Sequence, residues 1–288
     1  MKPAPFDYLR PGSLAEAAAA LAGEPNAKVL AGGQSLVPLL SMRLAAPSML
    51  VDINGLPELA TIEVTGDGVR IGALARHADV LASVDAARVQ PLLAMALSHV
   101  AHATIRNRGT TVGSIIHADS AAEMPVVLRL LGGSVEVESS SGRRTISADE
   151  LFVGPLETSL RHDEIAVAAY FPALPSGAGV AFDEIARRHG DYAMCGVAAF
   201  IRVEGGSIVE ARTAYLSVND TPQVVDLTRQ LAGGIDDESL AAAGEAALAE
   251  LDPADDIHAT AAYRAQLVRV LTSRVVRSAH EDALRRSA

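Results

Sequence analysis

The chain has 288 residues, 49% hydrophobic and 20% charged, a composition that supports one or two globular domains with a full core and excludes a disordered chain. A net charge of −11, with no Lys/Arg run, argues against a nucleic-acid surface. The single cysteine, Cys195, means that this chain alone cannot hold an iron–sulfur cluster, a cysteine-rich zinc site or an internal disulfide.

The segment Met1–Phe6 lacks the apolar core of a signal peptide, and no run reaches the roughly 20 apolar residues of a membrane span. A soluble, cytoplasmic protein is expected. Ser13-Leu14-Ala15-Glu16 fits a capping box and opens a helix running to about Gly23. Pro25 and Asn26 turn the chain into a short apolar strand, Lys28-Val29-Leu30.

Ala31-Gly32-Gly33-Gln34-Ser35-Leu36 follows, and Leu36–Leu44 has helical spacing. A strand entering paired glycines, a hydroxyl and a helix start can place backbone N–H groups around an anion, because glycine permits close approach and positive φ. A tight strand-to-helix turn without a ligand fits the same residues.

Leu50–Ile53 reads as a strand closed by Asn54-Gly55, and Thr61–Ala73 as a hairpin around Gly66-Asp67-Gly68. His77–Leu81 begins a short helix, and Pro91–His102 is read as a longer one with proline in its first turn. His99 and His102, near its end, suit the helix dipole and are read as structural.

Thr104-Ile105-Arg106-Asn107-Arg108-Gly109-Thr110-Thr111-Val112-Gly113-Ser114 is too rich in polar groups and hydroxyls to be expected in the core. With Ala31–Ser35 it forms a pair of glycine/hydroxyl stretches able to grip a pyrophosphate from two sides. Neither stretch carries the Gly-Lys-Ser/Thr of a Walker loop or the Gly-x-Gly-x-x-Gly of a Rossmann turn. A dinucleotide held by a different fold remains.

His117, Asp119 and Glu123 invite a metal reading, but no helical His-x-x-x-His pair accompanies them. A hydrogen bond from a ligand hydroxyl or ring N–H to Asp119 or Glu123, or a charge at a helix start for Glu123, fits better. Glu123–Leu131 is read as a helix, and Ser134–Glu138 and Glu164–Phe171 as strands.

Pro172–Gly179 marks a domain boundary. Strands at Val180–Ala186, Ala193–Val203 and Ala211–Val218 suggest an antiparallel sheet. Helices at Thr228–Leu231, Asp237–Leu251 and Thr260–Arg286 follow. In the last, Tyr263, Leu267, Val270, Leu271 and Arg274 are expected to face inward. The Arg187–Tyr192 cluster between two strands is either solvated or reaches an anionic cofactor or a partner subunit. Cys195 reads as a buried thiol. No Gly-x-Ser-x-Gly elbow supports a serine hydrolase.

Ala31–Pro38, Arg106–Ser114 with His117-Ala118-Asp119 and Ala121–Pro125, Arg187–Ala193, and the Tyr263–Arg274 helix together resemble the medium, FAD-binding subunit of molybdenum hydroxylases, the family of carbon monoxide and xanthine dehydrogenases. The likeness spans essentially the whole chain. It implies a two-domain α+β fold, with an FAD-binding domain of the vanillyl-alcohol-oxidase (PCMH) type at 1–175 and a small antiparallel sheet packed with helices at 176–288.

By position, the resemblance places Ala31, Gly32, Gly33, Gln34, Ser35 and Leu36, with Thr104, Gly109, Thr110, Thr111, Gly113 and Ser114, at FAD, most of them at its pyrophosphate. Asp119 or Glu123 would meet the adenosine or flavin portion, and Arg187–Tyr192 the isoalloxazine. No metal site is expected on this chain. [2Fe-2S] clusters and a molybdenum–pterin cofactor would lie on a small and a large partner subunit, in a dimer of heterotrimers. Electrons would pass from the clusters to FAD and on to an external acceptor.

Val112 stands where the family often has a glycine, Ser120 where proline is common, and Gln34 where many carbon monoxide dehydrogenases have histidine. The substrate is left among N-heterocycles, ketones, aldehydes and carbon monoxide, with Gln34 tilting away from the last. A stand-alone flavin oxidoreductase and a cofactor-free partner-binding module are the alternative readings.

Overall fold

The computed structural model describes residues 1–287. Its first unit is a small parallel sheet. Strands β1 (Asp7–Leu9) and β2 (Ala27–Leu30) flank β3 (Met49–Asp52), and helices α1 (Leu14–Gly23) and α2 (Leu36–Met42) lie between them in sequence. Parallel neighbours cannot be joined by a tight hairpin, so each connection crosses over through a helix. Leu9 pairs with Val51 and Leu30 with Asp52, so the residues following all three strands emerge at one edge. That edge is where open parallel sheets hold ligands.

Half of the capping box at α1 is present. Ser13 accepts from Glu16 N–H, whereas the Glu16 carboxylate accepts from Gly12 N–H at 2.7 Å, one residue before the expected partner.

The second unit is an antiparallel sheet in the order β4 (Ile62–Val64), β5 (Gly68–Gly72), β10 (Ile165–Pro172), β6 (Ser134–Ser139), β7 (Gly142–Ser147). The β4–β5 hairpin turns at Gly66-Asp67, as its sequence predicts. Helices α3 (His77–Ala82), α4 (Val84–Val89), α5 (Pro91–His99), α6 (Ala103–Arg106), α7 (Thr111–His117) and α8 (Glu123–Leu130) are inserted between β5 and β6. α9 (Ala148–Leu151) and the small ribbon β8 (Phe152–Gly154) and β9 (Glu157–Thr158) follow β7.

The expected Pro91–His102 helix stops at His99. Ala101 takes a left-handed φ of 44°, and His102 instead precedes α6 in extended conformation. The residues around Gly109 also depart from expectation: Thr110, Thr111 and Val112 are buried, because the two threonine hydroxyls find partners inside the protein.

The third unit is an antiparallel sheet of β11 (Ala178–Ala186), β12 (Ala193–Glu204), β13 (Ser207–Leu216) and β14 (Gln223–Asp226), followed by α10 (Thr228–Leu231), α11 (Asp237–Ala249) and α12 (Ala261–Ser287). β12 is buried along nearly its whole length because both its faces are covered. Ala198 and Phe200 join the core of the preceding units, while Val197, Ala199 and Ile201 join a second core under α11 and α12.

The buried stripe of α12 runs through Arg264, Leu267, Val268, Leu271, Val275 and Ala279. Leu267 and Leu271 thus face inward as expected. Tyr263, Val270 and Arg274 do not: they lie on the outer side, and Arg274 pairs with Asp183. The inner stripe is rotated because Val268, Thr272 and Val276 extend the 3.6-residue period on its other flank.

Candidate functional site

The carboxyl edge of the parallel sheet carries Arg10 after β1, Ala31–Gln34 after β2 and Asp52–Asn54 at the end of β3. Together with Arg76 and Arg108 they line a cleft of about 590 Å³. This lies within the size range of small-molecule sites. Three arginines surround it and Asp52 is the one acidic residue in its lining, so the cleft favours an anion.

Gly33 has φ of +73°, which turns the chain from β2 toward α2. No acceptor among the described residues meets the N–H groups of Gly32, Gly33, Gln34 and Ser35. The Gln34 side chain folds back and donates to Gly32 O at 3.3 Å.

The second glycine stretch abuts the first, backbone against backbone. A Cβ on Gly32 would lie 2.5 Å from Arg108 O and 2.9 Å from Gly109 Cα. Beneath it, His77 N–H donates to Gly109 O at 2.9 Å, and a hydrogen bond of 3.2 Å joins the Thr111 hydroxyl to His77 Nδ1. Burial, with Arg106 nearby, pushes the His77 pKa down to about 4, so the imidazole is neutral near pH 7. Thr110 caps α7 by accepting from Gly113 N–H at 3.1 Å. Much of the second stretch is therefore bonded internally: Gly109, Thr111, Gly113 and Ser114 all donate to protein acceptors.

A second group of polar residues gathers where α5, α8 and β11 meet. The Glu123 carboxyl is pushed up to about 8 by burial and then by Glu184 and Asp119. Glu184 is paired with His99 at 3.5 Å, and its other oxygen is buried without a partner among the described residues. The hydrogen bond to Glu184 raises the His99 pKa. Tyr192, in the β11–β12 loop, has its phenol pKa raised by burial and by Asp119 and Glu123. Gly190 lets that loop rest on the end of α5: a Cβ there would lie 2.6 Å from Ala101 O.

Residues 4–174 match the family described as the FAD binding domain in molybdopterin dehydrogenase, and residues 180–279 match the CO dehydrogenase flavoprotein C-terminal domain. The chain is 42% identical to the 6-hydroxypseudooxynicotine dehydrogenase complex subunit alpha of Paenarthrobacter nicotinovorans, over 97% of this chain and 96% of that one. It is 39% identical to the caffeine dehydrogenase subunit beta of Pseudomonas sp. (strain CBB1), over 96% and 95%. It superposes on a chain of quinoline 2-oxidoreductase from Pseudomonas putida 86 with a TM-score of 0.93 and 38% identity, covering 99% of this chain and 100% of the other.

The chain belongs to the family of FAD-binding medium subunits of molybdenum hydroxylases. It is an oxidoreductase subunit, its cofactor is FAD, and its α+β fold is that of its relatives.

The cradle around Gly32 fits the FAD pyrophosphate: a side chain there would fill the contact, its N–H groups meet no acceptor among the described residues, and the lining is cationic. In this FAD subunit Ala31, Gly32, Gly33 and Gln34 line the cleft, and Ser35 and Leu36 begin α2 beside it. Gly109 and Thr110 form the contact under Gly32, with Thr111, Gly113 and Ser114 running on into α7. Thr104 is exposed on α6. Asp119, Glu123 and Tyr192 come together at the second group, not at the cleft, and Arg187 is exposed in the same loop as Tyr192. Among the described residues no cluster of three or more His, Cys, Asp or Glu has metal-site geometry, and no helix is long and apolar enough to cross a membrane.

Sequence reading missed Arg10, Asp52, Asn54 and Arg76 at the cleft and Glu184 at the second group. The only advance signal was Asp52-Ile53-Asn54-Gly55 at the end of a strand, where Asp52 accepts from Asn54 N–H at 3.0 Å in an Asx turn.

Proposed function

We propose that this chain is the electron-transfer subunit of a molybdenum hydroxylase complex. It takes electrons from [2Fe-2S] clusters on a small partner subunit, which are filled in turn from a molybdenum–pterin cofactor on a large one, and passes them to an external acceptor. The reading assigns the FAD pyrophosphate to Ala31–Ser35 on one side and Thr110–Ser114 on the other, with Leu36, Thr104 and Gly109 flanking. Asp119 or Glu123 would accept hydrogen bonds from the adenosine or flavin portion, and the Arg187–Tyr192 loop would lie beside the isoalloxazine. Bound FAD supplies a ring that exchanges electrons singly or in pairs. The protein supplies backbone donors, positive charge and the buried carboxyl of Glu123.

The observation that carries this reading is the contact of the two glycine stretches at Gly32, with the free N–H groups of the first beside it. The single cysteine agrees with clusters held elsewhere. A division near residue 175 is supported by the two family matches and by the Pro/Gly-rich stretch between them. The names of three relatives, which refer to a nicotine-derived pyridine, caffeine and quinoline, support an N-heterocycle as substrate of the complex, ahead of ketones, aldehydes and carbon monoxide. A dimer of heterotrimers in the cytoplasm completes the proposal.

Gly33→Trp tests the site. A side chain at this φ of +73° is strained, and its Cβ would press on Val37 and Leu30 at 3.2 and 3.3 Å. The variant complex should purify nearly free of flavin. Full flavin content would overturn the assignment.

A further inference from the structure

Asn54 and Arg76 connect the two glycine stretches by a chain of short hydrogen bonds. Asn54 Nδ2 donates to Ala31 O at 2.8 Å and to Asp52 Oδ1 at 2.6 Å. Asn54 Oδ1 accepts from Arg76 Nη2 at 2.8 Å. Arg76 Nη1 donates to Arg108 O at 2.7 Å. That oxygen is the atom on which Gly32 packs. The circuit closes: Ala31, Asn54, Arg76, Arg108 and back to Gly32. Asp52, fixed by the Tyr8 hydroxyl, anchors Asn54 at its outer end.

The chemistry of this circuit is specific. A guanidinium is a planar fork whose two terminal nitrogens can serve acceptors on two separate segments, which an ammonium on a flexible stem does less well. A carboxamide both donates and accepts, so Asn54 can pass the connection from a backbone carbonyl to Arg76. Segment 75–77 already crosses under 109–111 through an antiparallel bridge between Arg76 and Thr110, so the guanidinium starts from a fixed backbone. Arg76 and Asn54 also line the cleft itself. Parallel pairing brings the Ala31 and Asn54 loops together, but among the described residues only Arg76 reaches by side chain from the Asn54 loop to the backbone of the second stretch.

We propose that Arg76 and Asn54 are positioning residues that hold the two glycine stretches in a single anion-binding face, with Arg76 adding positive charge beside the pyrophosphate. The inference rests on the assignment of that pyrophosphate to the cleft. It predicts that the preformed spacing of the two stretches, and with it FAD affinity, depends on two side chains that belong to neither glycine motif.

The test uses the intact complex, stripped of flavin and titrated with FAD, for the wild type, Arg76→Lys, Asn54→Ala and Gly33→Trp. The melting temperature of each flavin-free complex is measured alongside. Loss of a charge-assisted hydrogen bond predicts FAD binding weakened by about tenfold to a hundredfold in Arg76→Lys, with Asn54→Ala similar. Amide exchange of residues 31–36 and 108–113 should rise together in both flavin-free variants, while exchange in β12 stays unchanged. A role confined to stability would lower the melting temperature and leave FAD affinity within about twofold of wild type. That result, with Gly33→Trp still empty of flavin, overturns the inference and leaves the site assignment standing. Full flavin in Gly33→Trp overturns the site assignment itself, and the inference with it. If Arg76→Lys fails to assemble, Asn54→Ala decides by the same criteria.

Discussion

Gly32 lies against the carbonyl oxygen of Arg108, with only 2.5 Å between that oxygen and the position of a Cβ at residue 32. The neighbour is backbone, fixed by Arg76 and by the turn after α6, so it cannot swing aside as a flexible side chain would. Gly32→Ala should therefore push the two stretches apart. We expect a loss of about 1–3 kcal/mol in stability and a fall in flavin per chain. Urea denaturation and acid-released flavin measure both, and wild-type values for the pair would contradict the contact.

His77 makes the site sensitive to acid. Its pKa in the folded chain is about 4 against 6.5 in the unfolded chain. Between these values the unfolded chain binds a proton that the folded chain refuses, so stability falls as pH drops through this window, by roughly 3 kcal/mol in total. Because His77 supports Gly109 and Thr111, flavin release should follow the same curve. Denaturation midpoints and bound flavin across about pH 7 to 4 check this, and His77→Gln should flatten the dependence.

Glu123 works in the opposite direction. Its carboxyl is raised from 4.5 to about 8 on folding, by burial and then by Glu184 and Asp119. The folded chain keeps a proton that the unfolded chain releases, so this group costs stability as pH rises through the window, on the order of 5 kcal/mol once above it. Glu123→Gln should make the flavin-free complex more stable at alkaline pH and change it little near about pH 5. Equal effects at both pH values would show that Glu123 is not raised.

Cys195 should be chemically silent. It is fully buried in β12, and burial pushes its thiol up to about 12. Iodoacetamide should leave this chain unmodified in the folded complex and label one thiol on it after denaturation, read by intact mass. Rapid labelling of the native protein would contradict the burial.

The pattern of these residues explains how much could be read in advance. Gly32-Gly33 stood out because small residues directly after an apolar run mark a turn or a ligand, and Gly109 through Ser114 because glycines and hydroxyls cluster there. That Gly32 touches Arg108 was not legible, since 76 residues and three strands separate the stretches. Asn54 and Arg76 stand 22 residues apart in sequence, so nothing local shows that their side chains bond to each other. Glu184 has no local pattern to mark it, and only the fold brings it beside His99 and Glu123.

Among the elements, β7 was missed because Gly142-Arg143-Arg144 exposes charge on an edge strand, and β14 because it has only Val224 and Val225 to mark it. The overlong reading of α5 has a similar origin, because nothing in the side chain of Ala101 announces a left-handed turn. The long helix α12 was found, but its inward face was assigned about one residue out of phase at Tyr263, Val270 and Arg274.

The most direct test of the account is the visible spectrum and acid-released cofactor of the native complex, with flavin counted per copy of this chain. The account predicts one FAD per chain, flavin bands overlaid on iron–sulfur absorbance, and two further subunits that carry the clusters and the molybdenum cofactor. An intact native assembly with no flavin would contradict it.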